Sequence, residues 1–257
     1  MITTVERNEH VLLRECAQRS PTVSARPFYY AIHLDKPCNQ KCIMCRPTGE
    51  YPSDVLPLPE FHALFEGIKG VAEHVTLIGG EPLMYPWIGE VLEHLGRHEI
   101  DVTINTNATM LTARLTSRLL ALHRLHLKVS IDAATRDTYR KIRGVDAHGL
   151  VTANLERFSA AAGGRGNVHL ILVYVVMREN LAEVVPFIDF ARTLHLDRVE
   201  FHPVRHVNTW RVSNDTGWVF DGRAQSCESF RDEYNQVMTE AAARCEREGL
   251  ECEVTPL

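Results

Sequence analysis

Apolar and polar positions along the chain alternate between helical and extended spacing. Residues 4–19 read as a short amphipathic helix, with Val5, Leu12, Leu13 and Cys16 on or near one face. Pro21 to Pro27 breaks that pattern. An alternating strand, Phe28–Leu34, then leads into a loop, Asp35–Pro57. Pro59 fits the first position of a helix that stops near Gly70. From there the pattern predicts a buried strand at His74–Ile78, a helix at Trp87–His98 and a strand at Ile100–Asn105. A helix at Thr112–His123, a strand at Leu125–Ile131 and short helical turns over Arg136–Ile142 follow. A helix over Gly149–Ala162 ends at Gly163, Gly164 and Gly166. The most apolar strand is Val168–Val176, followed by a helix, Leu181–Leu194, and a strand, Arg198–Pro203. An irregular stretch, Val204–Ser226, precedes a long helix, Glu228–Glu248, and a last strand, Leu250–Val254.

Strands that alternate with helices imply βα units, an α/β fold and a parallel sheet. Six or seven such units suit a full or partial barrel, whose right-handed crossovers place every loop after a strand on one face. The expected organisation is a helical extension over residues 1–27 and one barrel domain over residues 28–257. Composition adds exclusions. The 257 residues carry a formal net charge of -5, which argues against a nucleic-acid partner, because phosphate neutralisation needs a basic surface. No run approaches the ~18 apolar residues of a membrane span. The polar start MITTVERNEH lacks a signal-peptide core, so the expected location is the cytoplasm. Seven cysteines, an odd number, point to metal binding or catalysis and away from a disulfide framework.

Three of those cysteines, Cys38, Cys42 and Cys45, share the loop after the first strand as C-N-Q-K-C-I-M-C. Three thiolates in a compact loop can hold three corners of a [4Fe–4S] cube and leave one iron open to another ligand. Zinc would want a fourth ligand, which Cys16 or His33 would have to supply. An electron-transfer iron–sulfur protein needs neither a barrel nor an open iron.

This C-x3-C-x2-C after the first strand resembles the radical S-adenosylmethionine (radical SAM) superfamily. Gly79-Gly80-Glu81-Pro82 after the second strand is similar to that family's glycine-rich motif for the SAM amino group. Thr106-Asn107-Ala108-Thr109 after the third resembles the family's Thr-Asn-Gly-Thr. Ser130-Ile131-Asp132 and, downstream, Arg143-Gly144 resemble its ribose- and carboxylate-binding elements. The resemblance implies a partial (βα)6 TIM-like barrel with a short N-terminal helical extension. It also implies a [4Fe–4S] cluster on Cys38, Cys42 and Cys45. Bound SAM would contact Met44, Gly79, Gly80, Glu81, Asn107, Ser130, Asp132 and Arg143, with Met44 where the family often has an aromatic residue beside the adenine. One electron from the cluster would then cleave SAM to a 5′-deoxyadenosyl radical, with flavodoxin or ferredoxin as the electron donor.

A small-molecule substrate is expected at the rim. The stretch 204–226 is long for a βα loop and holds Arg205, His206, Trp210 and Trp218. Trp87 is expected at the same rim, and His202 flanks the end of the sixth strand. A Trp offers a flat apolar face and one N–H, which with Arg and His suits a polyhydroxylated or negatively substituted molecule. His94 and His98, four apart on a helix, and His123 and His126, three apart at a helix end, are expected on solvated faces. Cys227, at the start of the last long helix, is expected to open toward the barrel mouth, where a helix N-terminus activates a thiol. A thiol there would serve as hydrogen donor in a redox-neutral epimerisation, in the manner of radical SAM epimerases of carbohydrate antibiotics. The alternatives are a dehydrogenase, a lyase or rearranging enzyme, a peptide-modifying enzyme, and a metal-binding scaffold without catalysis. The residues before the barrel are few for a leader-binding domain of the kind peptide maturases carry.

Overall fold

The computed structural model describes residues 4–45, 54–205, 211–213 and 217–257. Its centre is a sheet of parallel strands: β1 (Tyr29–Asp35), β2 (His74–Gly79), β3 (Asp101–Thr106), β4 (Arg124–Ser130), β5 (Val168–Val176), β6 (Arg198–Pro203) and β9 (Glu251–Val254). The spatial order is β1-β2-β3-β4-β5-β6-β9, so each strand of the barrel units lies beside the next in sequence. The edges β1 and β9 do not pair, and the barrel stays open. The helices are α1 (Thr4–Ala17), α2 (Leu58–Ile68), α3 (Ile88–Leu95), α4 (Ala113–Leu119), α5 (Arg136–Arg143), α6 (His148–Ala162), α7 (Val184–Ala191), α8 (Gly222–Gln225) and α9 (Arg231–Glu248).

Pro59 sits in the first turn of α2, where its missing N–H costs nothing, and Thr112 and Thr135 cap α4 and α5. The core lies between the sheet and its helices. Leu34 of β1, Leu77 of β2, Ile104 of β3, Leu127 of β4, Leu172 of β5 and Phe201 of β6 are all fully buried and face Phe61, Leu92, Leu155 and Phe187 in one cluster. Strand side chains alternate, so the residues between these point to the concave side of the sheet.

Four expectations change. The turns over Arg136–Ile142 are a full helix, α5. The helix expected over Leu181–Leu194 is a 3-10 turn, Arg178–Glu183, followed by the shorter α7. Within the stretch expected to be irregular, β7 (Arg211–Ser213) and β8 (Val219–Asp221) form an antiparallel pair ahead of α8. The last long helix opens with a separate 3-10 turn, Cys227–Phe230. Among the described residues no helix is long and apolar enough to cross a membrane.

Candidate active site

The loop that follows β1 carries the three cysteines and is clamped from three sides. On one side, Glu81 N–H donates to Pro37 O at 2.9 Å and Gly80 N–H to Asp35 O at 3.0 Å. A β-carbon on Gly80 would lie 2.0 Å from Pro37 O, so only glycine lets these two loops approach. On the second side, Lys41 N–H donates to Arg143 O at 3.0 Å and Ile43 N–H to Ile142 O at 2.9 Å. These bonds use carbonyls that the end of α5 leaves unpaired. Gly144 caps that end at φ +70°, with Lys41 O 2.6 Å from where a β-carbon would stand. On the third side, Asn107 Nδ2 donates to Asn39 Oδ1 at 2.9 Å, and Asn39 Nδ2 donates to Thr109 Oγ1 at 2.7 Å. Gln40 Nε2 donates to Tyr139 OH at 2.6 Å beneath the loop.

Cys38 and Cys42 are half-buried and Cys45 is exposed. Among the described residues no three His, Cys, Asp or Glu side chains close on one point in the way a single metal ion needs. Zinc would hold each sulfur at about 2.3 Å from one ion, whereas a cube with a different iron for each thiolate sets them further apart. Three thiols on one short loop, with no fourth protein ligand among the described residues, are the donor set of the second arrangement. Desolvation pushes the Cys42 thiol up to about 11, against the pull of the Arg143 guanidinium. Arg143 Nη1 donates to Cys42 Sγ at 3.4 Å.

Several expected SAM ligands turn out to be occupied. Glu81 is 1% exposed. Its carboxylate accepts from Leu83 N–H at 3.1 Å, Thr106 Oγ1 at 2.6 Å and Asn107 N–H at 2.7 Å. Burial pushes its carboxyl up, and these three donors work against that rise. It therefore ties the turn after β2 to the turn after β3. The amide of Asn107 likewise serves the cysteine loop, and its Oδ1 accepts from Thr109 N–H at 2.9 Å. Ala108, where the family motif has glycine, holds φ +59°, which explains why glycine suits that position.

Asp132 and Arg143 pair with each other. Asp132 is fully buried at φ +58°, and Arg143 is 5% exposed. Arg143 Nη2 lies 2.6 Å from Asp132 Oδ2, and Asp132 Oδ1 accepts from Val175 N–H at 2.8 Å. Burial pulls the guanidinium's pKa down, but Asp132, Cys42 and Tyr139 outweigh it and push it up. The pair braces the cysteine loop from below. Ribose or carboxylate contacts by these two side chains, as the resemblance implies, would require breaking it. Gly79, Gly80, Ser130 and Met44 remain half-exposed at the C-terminal edge of the sheet. A residue that sequence reasoning missed joins them. Asp35, the last of β1, is 2% exposed, its Oδ1 has no hydrogen-bond partner, and burial pushes its carboxyl up to about 6. An orphaned carboxyl oxygen beside the Gly79-Gly80 turn fits a cationic ligand group there.

The rim residues separate. Trp218 packs edge-on to Phe220 at 6.3 Å and joins Met44, Ile43, Val175 and Val204 in a small apolar cluster at the mouth. Arg205 is exposed at the end of β6, and His206 and Trp210 lie outside the described residues. Trp87 does not reach the mouth. It packs on Tyr85 at 5.5 Å and lines an outer groove with Arg97, Arg114 and Arg118 between α3 and α4. Cys227 is fully buried in the layer between sheet and helices, and its thiol donates to Val176 O at 3.1 Å. Burial pushes this thiol up to about 12, opposite to the activation expected of a helix N-terminus.

Sequence reasoning also missed the concave face. His126 lies in β4, as the strand expected over Leu125–Ile131 implies, and its ring stacks on His169 at 4.8 Å. Tyr29 stacks on His74 at 4.9 Å, and His74 lies 5.8 Å from His126. Burial lowers the pKa of both His74 and His126. Above this row, Glu200 accepts from Lys128 Nζ at 2.9 and 3.0 Å, Arg198 Nε at 3.0 Å and His202 Nε2 at 3.3 Å. Burial alone would raise the Glu200 pKa, but the bonds from His202, Lys128 and Arg198 outweigh it and hold it at about 2.

An open parallel barrel with a cysteine loop at its C-terminal edge defines a class, and comparison identifies it. The Radical SAM superfamily model matches residues 37–191, and this chain belongs to that family. A "Probable GTP 3',8-cyclase" of Saccharolobus solfataricus is 30% identical over 181 residues, covering 67% of this chain and 56% of that protein. The "Mycofactocin maturase MftC" of Mycobacterium tuberculosis is 24% identical over 167 residues, covering 64% of this chain and 42% of that protein. The chain thus spans about half the length of the curated relatives it matches. The crystal structure of Streptococcus suis SuiB bound to S-adenosylmethionine superimposes with a TM-score of 0.70 at 16% identity, covering 96% of this chain and 54% of that one. That likeness extends the fold over nearly the whole chain. The family's enzymes use a [4Fe–4S] cluster and SAM.

Proposed function

We propose that this radical SAM enzyme abstracts hydrogen from a small polar molecule seated on the concave face of its sheet. Cys38, Cys42 and Cys45 hold the [4Fe–4S] cluster. The Gly79-Gly80 turn and Asp35 receive the SAM ammonium, with Ser130 and Met44 along the rest of the cofactor. The bound cofactors supply one electron and a 5′-deoxyadenosyl radical able to take hydrogen from an unactivated carbon. The protein's own work is placement: Glu81 and Asn107 fix the loops, the Asp132–Arg143 pair supports Cys42, and the mouth cluster around Trp218 keeps water from the reacting carbon.

The observation that carries this reading is the backbone clamp of the cysteine loop onto Gly80, Glu81 and the end of α5. It brings three motifs, distant in sequence, to one edge of the sheet. Anaerobically reconstituted protein, reduced with dithionite, should convert SAM to methionine and 5′-deoxyadenosine. Alanine at Cys38, Cys42 or Cys45 should abolish that conversion. Tight zinc binding with no response to SAM would sink the reading.

Epimerisation with Cys227 as hydrogen donor is not carried forward, because that thiol is packed in the core. No other thiol takes its place: Cys16 is exposed on α1, and Cys245 and Cys252 are hydrogen-bonded together between α9 and β9. The relatives bear names for a nucleotide cyclase and a maturase, and SuiB has been solved with a precursor peptide. A face lined with Lys128, Arg198, His126 and His202 suits a small polar substrate better than an apolar peptide side chain. The electron donor proposed is a flavodoxin or ferredoxin.

A further inference from the structure

A cavity of about 310 Å³ opens on the concave face toward the N-terminal ends of the strands. Tyr29 of β1 and Arg198 of β6 both line it, so the curled sheet wraps one chamber. Its walls are His74, Thr103, Asn105 and His126, and its charges are Lys128 and Arg198. Among the described residues no carboxylate lines it.

The two cations are held in place by Glu200, whose side chain is 2% exposed while theirs are 29% and 32% exposed. An ammonium has three donors and a guanidinium five, so one carboxylate cannot use them all. The other carboxylates are more distant. Glu251 and Glu253, exposed on β9, lie 3.6 and 3.9 Å from Arg198, and Asp101 faces Arg124 at 3.6 Å. Lys128 thus meets one buried carboxylate and keeps spare N–H groups, Arg198 shares its charge between that carboxylate and two exposed ones, and both cations stand beside hydrogen-bonding ring and amide side chains.

We propose that Lys128 and Arg198, fixed by Glu200, form a subsite for an anionic group of the substrate, a phosphate or a carboxylate. The subsite rests on the reading of the concave face as the substrate chamber. It also sets a length. Lys128 and His126 lie two and four residues below Ser130, so at 3.3 Å per residue the anionic group sits about 7–13 Å below the strand edge. The attacked carbon is therefore several bonds from the charge, as in a sugar phosphate or sugar acid.

The test titrates the full chain, reconstituted anaerobically, with ribose 5-phosphate, gluconate and neutral ribose by calorimetry. Ribose 5-phosphate or gluconate should bind and ribose should not, and whichever anion binds tighter names the group. Lys128→Gln and Arg198→Gln, checked for folding by thermal melting, should weaken binding about tenfold or more, the loss of one charge-assisted contact. Glu200→Gln removes the buried carboxylate that competes with the anion and should tighten it. Arg97→Gln, exposed in the turn after α3, should change nothing. Binding of ribose as tight as of the anions, no anion binding below about 10 mM, or wild-type affinity in both Lys128→Gln and Arg198→Gln would overturn the subsite. Anion binding in a wild-type protein that cleaves no SAM would keep the subsite and discard the radical reading.

Discussion

Replacing Arg143 with Met separates a bracing role from a SAM-binding role. Arg143 and Asp132 are 7% and 0% exposed in their side chains and 2.6 Å apart. Breaking a buried pair by removing one partner costs about 3–5 kcal/mol, because the other charge is left uncompensated. Asp132 keeps only the bond from Val175 N–H, so Arg143→Met should lose stability in that range in urea unfolding of the cofactor-free protein. The loss should grow as pH rises. Asp132 is then a carboxyl whose folded pKa lies above its unfolded one, so the folded state resists its ionisation. Asp132→Asn alone should also destabilise, by leaving the guanidinium buried against Cys42. Asp132→Asn together with Arg143→Met removes both charges and should recover most of the loss, since a buried pair replaced as a whole is often nearly neutral. Cluster content after reconstitution should fall in Arg143→Met, because Cys42 loses its donor at 3.4 Å. If Arg143→Met unfolds within about 1 kcal/mol of wild type while its SAM affinity drops about tenfold, Arg143 is a ligand of SAM and the bracing argument is wrong.

Cys227→Ala should cost about 1–2 kcal/mol for the lost packing and the bond to Val176 O, yet leave 5′-deoxyadenosine formation unchanged; loss of product with SAM cleavage intact would restore its role as donor. Asp35, raised to about 6, should make the cofactor-free protein less stable as pH rises from about 4 to 6, by as much as ~3 kcal/mol at about 1.36 kcal/mol per pK unit. Asp35→Asn should abolish that slope in pH-dependent melting and weaken SAM binding; an unchanged slope refutes the burial argument. Glu200, held at about 2, contributes stability that is present above pH ~4.5 and lost as pH falls toward 2, so Glu200→Gln should flatten the acid limb of the same curve. Glu81→Gln keeps one acceptor oxygen for three donors and should cost about 1–3 kcal/mol, whereas a change in SAM affinity alone would mean that Glu81 reaches the cofactor.

The order of strands and helices was legible because parallel βα units repeat a local pattern, and that pattern survives in each unit separately. The cysteine loop and the glycine turn were legible for the same reason: each is a short contiguous motif. What the motifs did not reveal is where a side chain spends its hydrogen bonds. Glu81 and Asn107 sit at the expected loops, but each serves a neighbouring loop whose position depends on the sheet register. Arg143 follows Tyr139 and Ile142 on α5, and nothing local announces that the turn after β4 will present Asp132 to it. Cys227 misled for a related reason. A cysteine ahead of a long helix reads as a helix-end thiol, but a four-residue 3-10 turn intervenes and directs it into the core.

The concave face carried a signal that the element pattern hid. A closed barrel of parallel strands is apolar on both faces, and its strands read as nearly continuous apolar runs. Only β5, V-H-L-I-L-V-Y-V-V, approaches that. β4 reads R-L-H-L-K-V-S and β6 reads R-V-E-F-H-P, with every second residue polar. In a parallel sheet covered by helices on one face, such alternation means that the other face meets water or a polar ligand. The positions it singles out are Arg124, His126, Lys128 and Ser130 on β4, and Arg198, Glu200 and His202 on β6. These include the cations of the chamber, the carboxylate behind them and one rim residue of the SAM edge. Period-two polarity within an α/β chain therefore marks the strands that face an open chamber, and its charged members locate where a charged ligand group can sit.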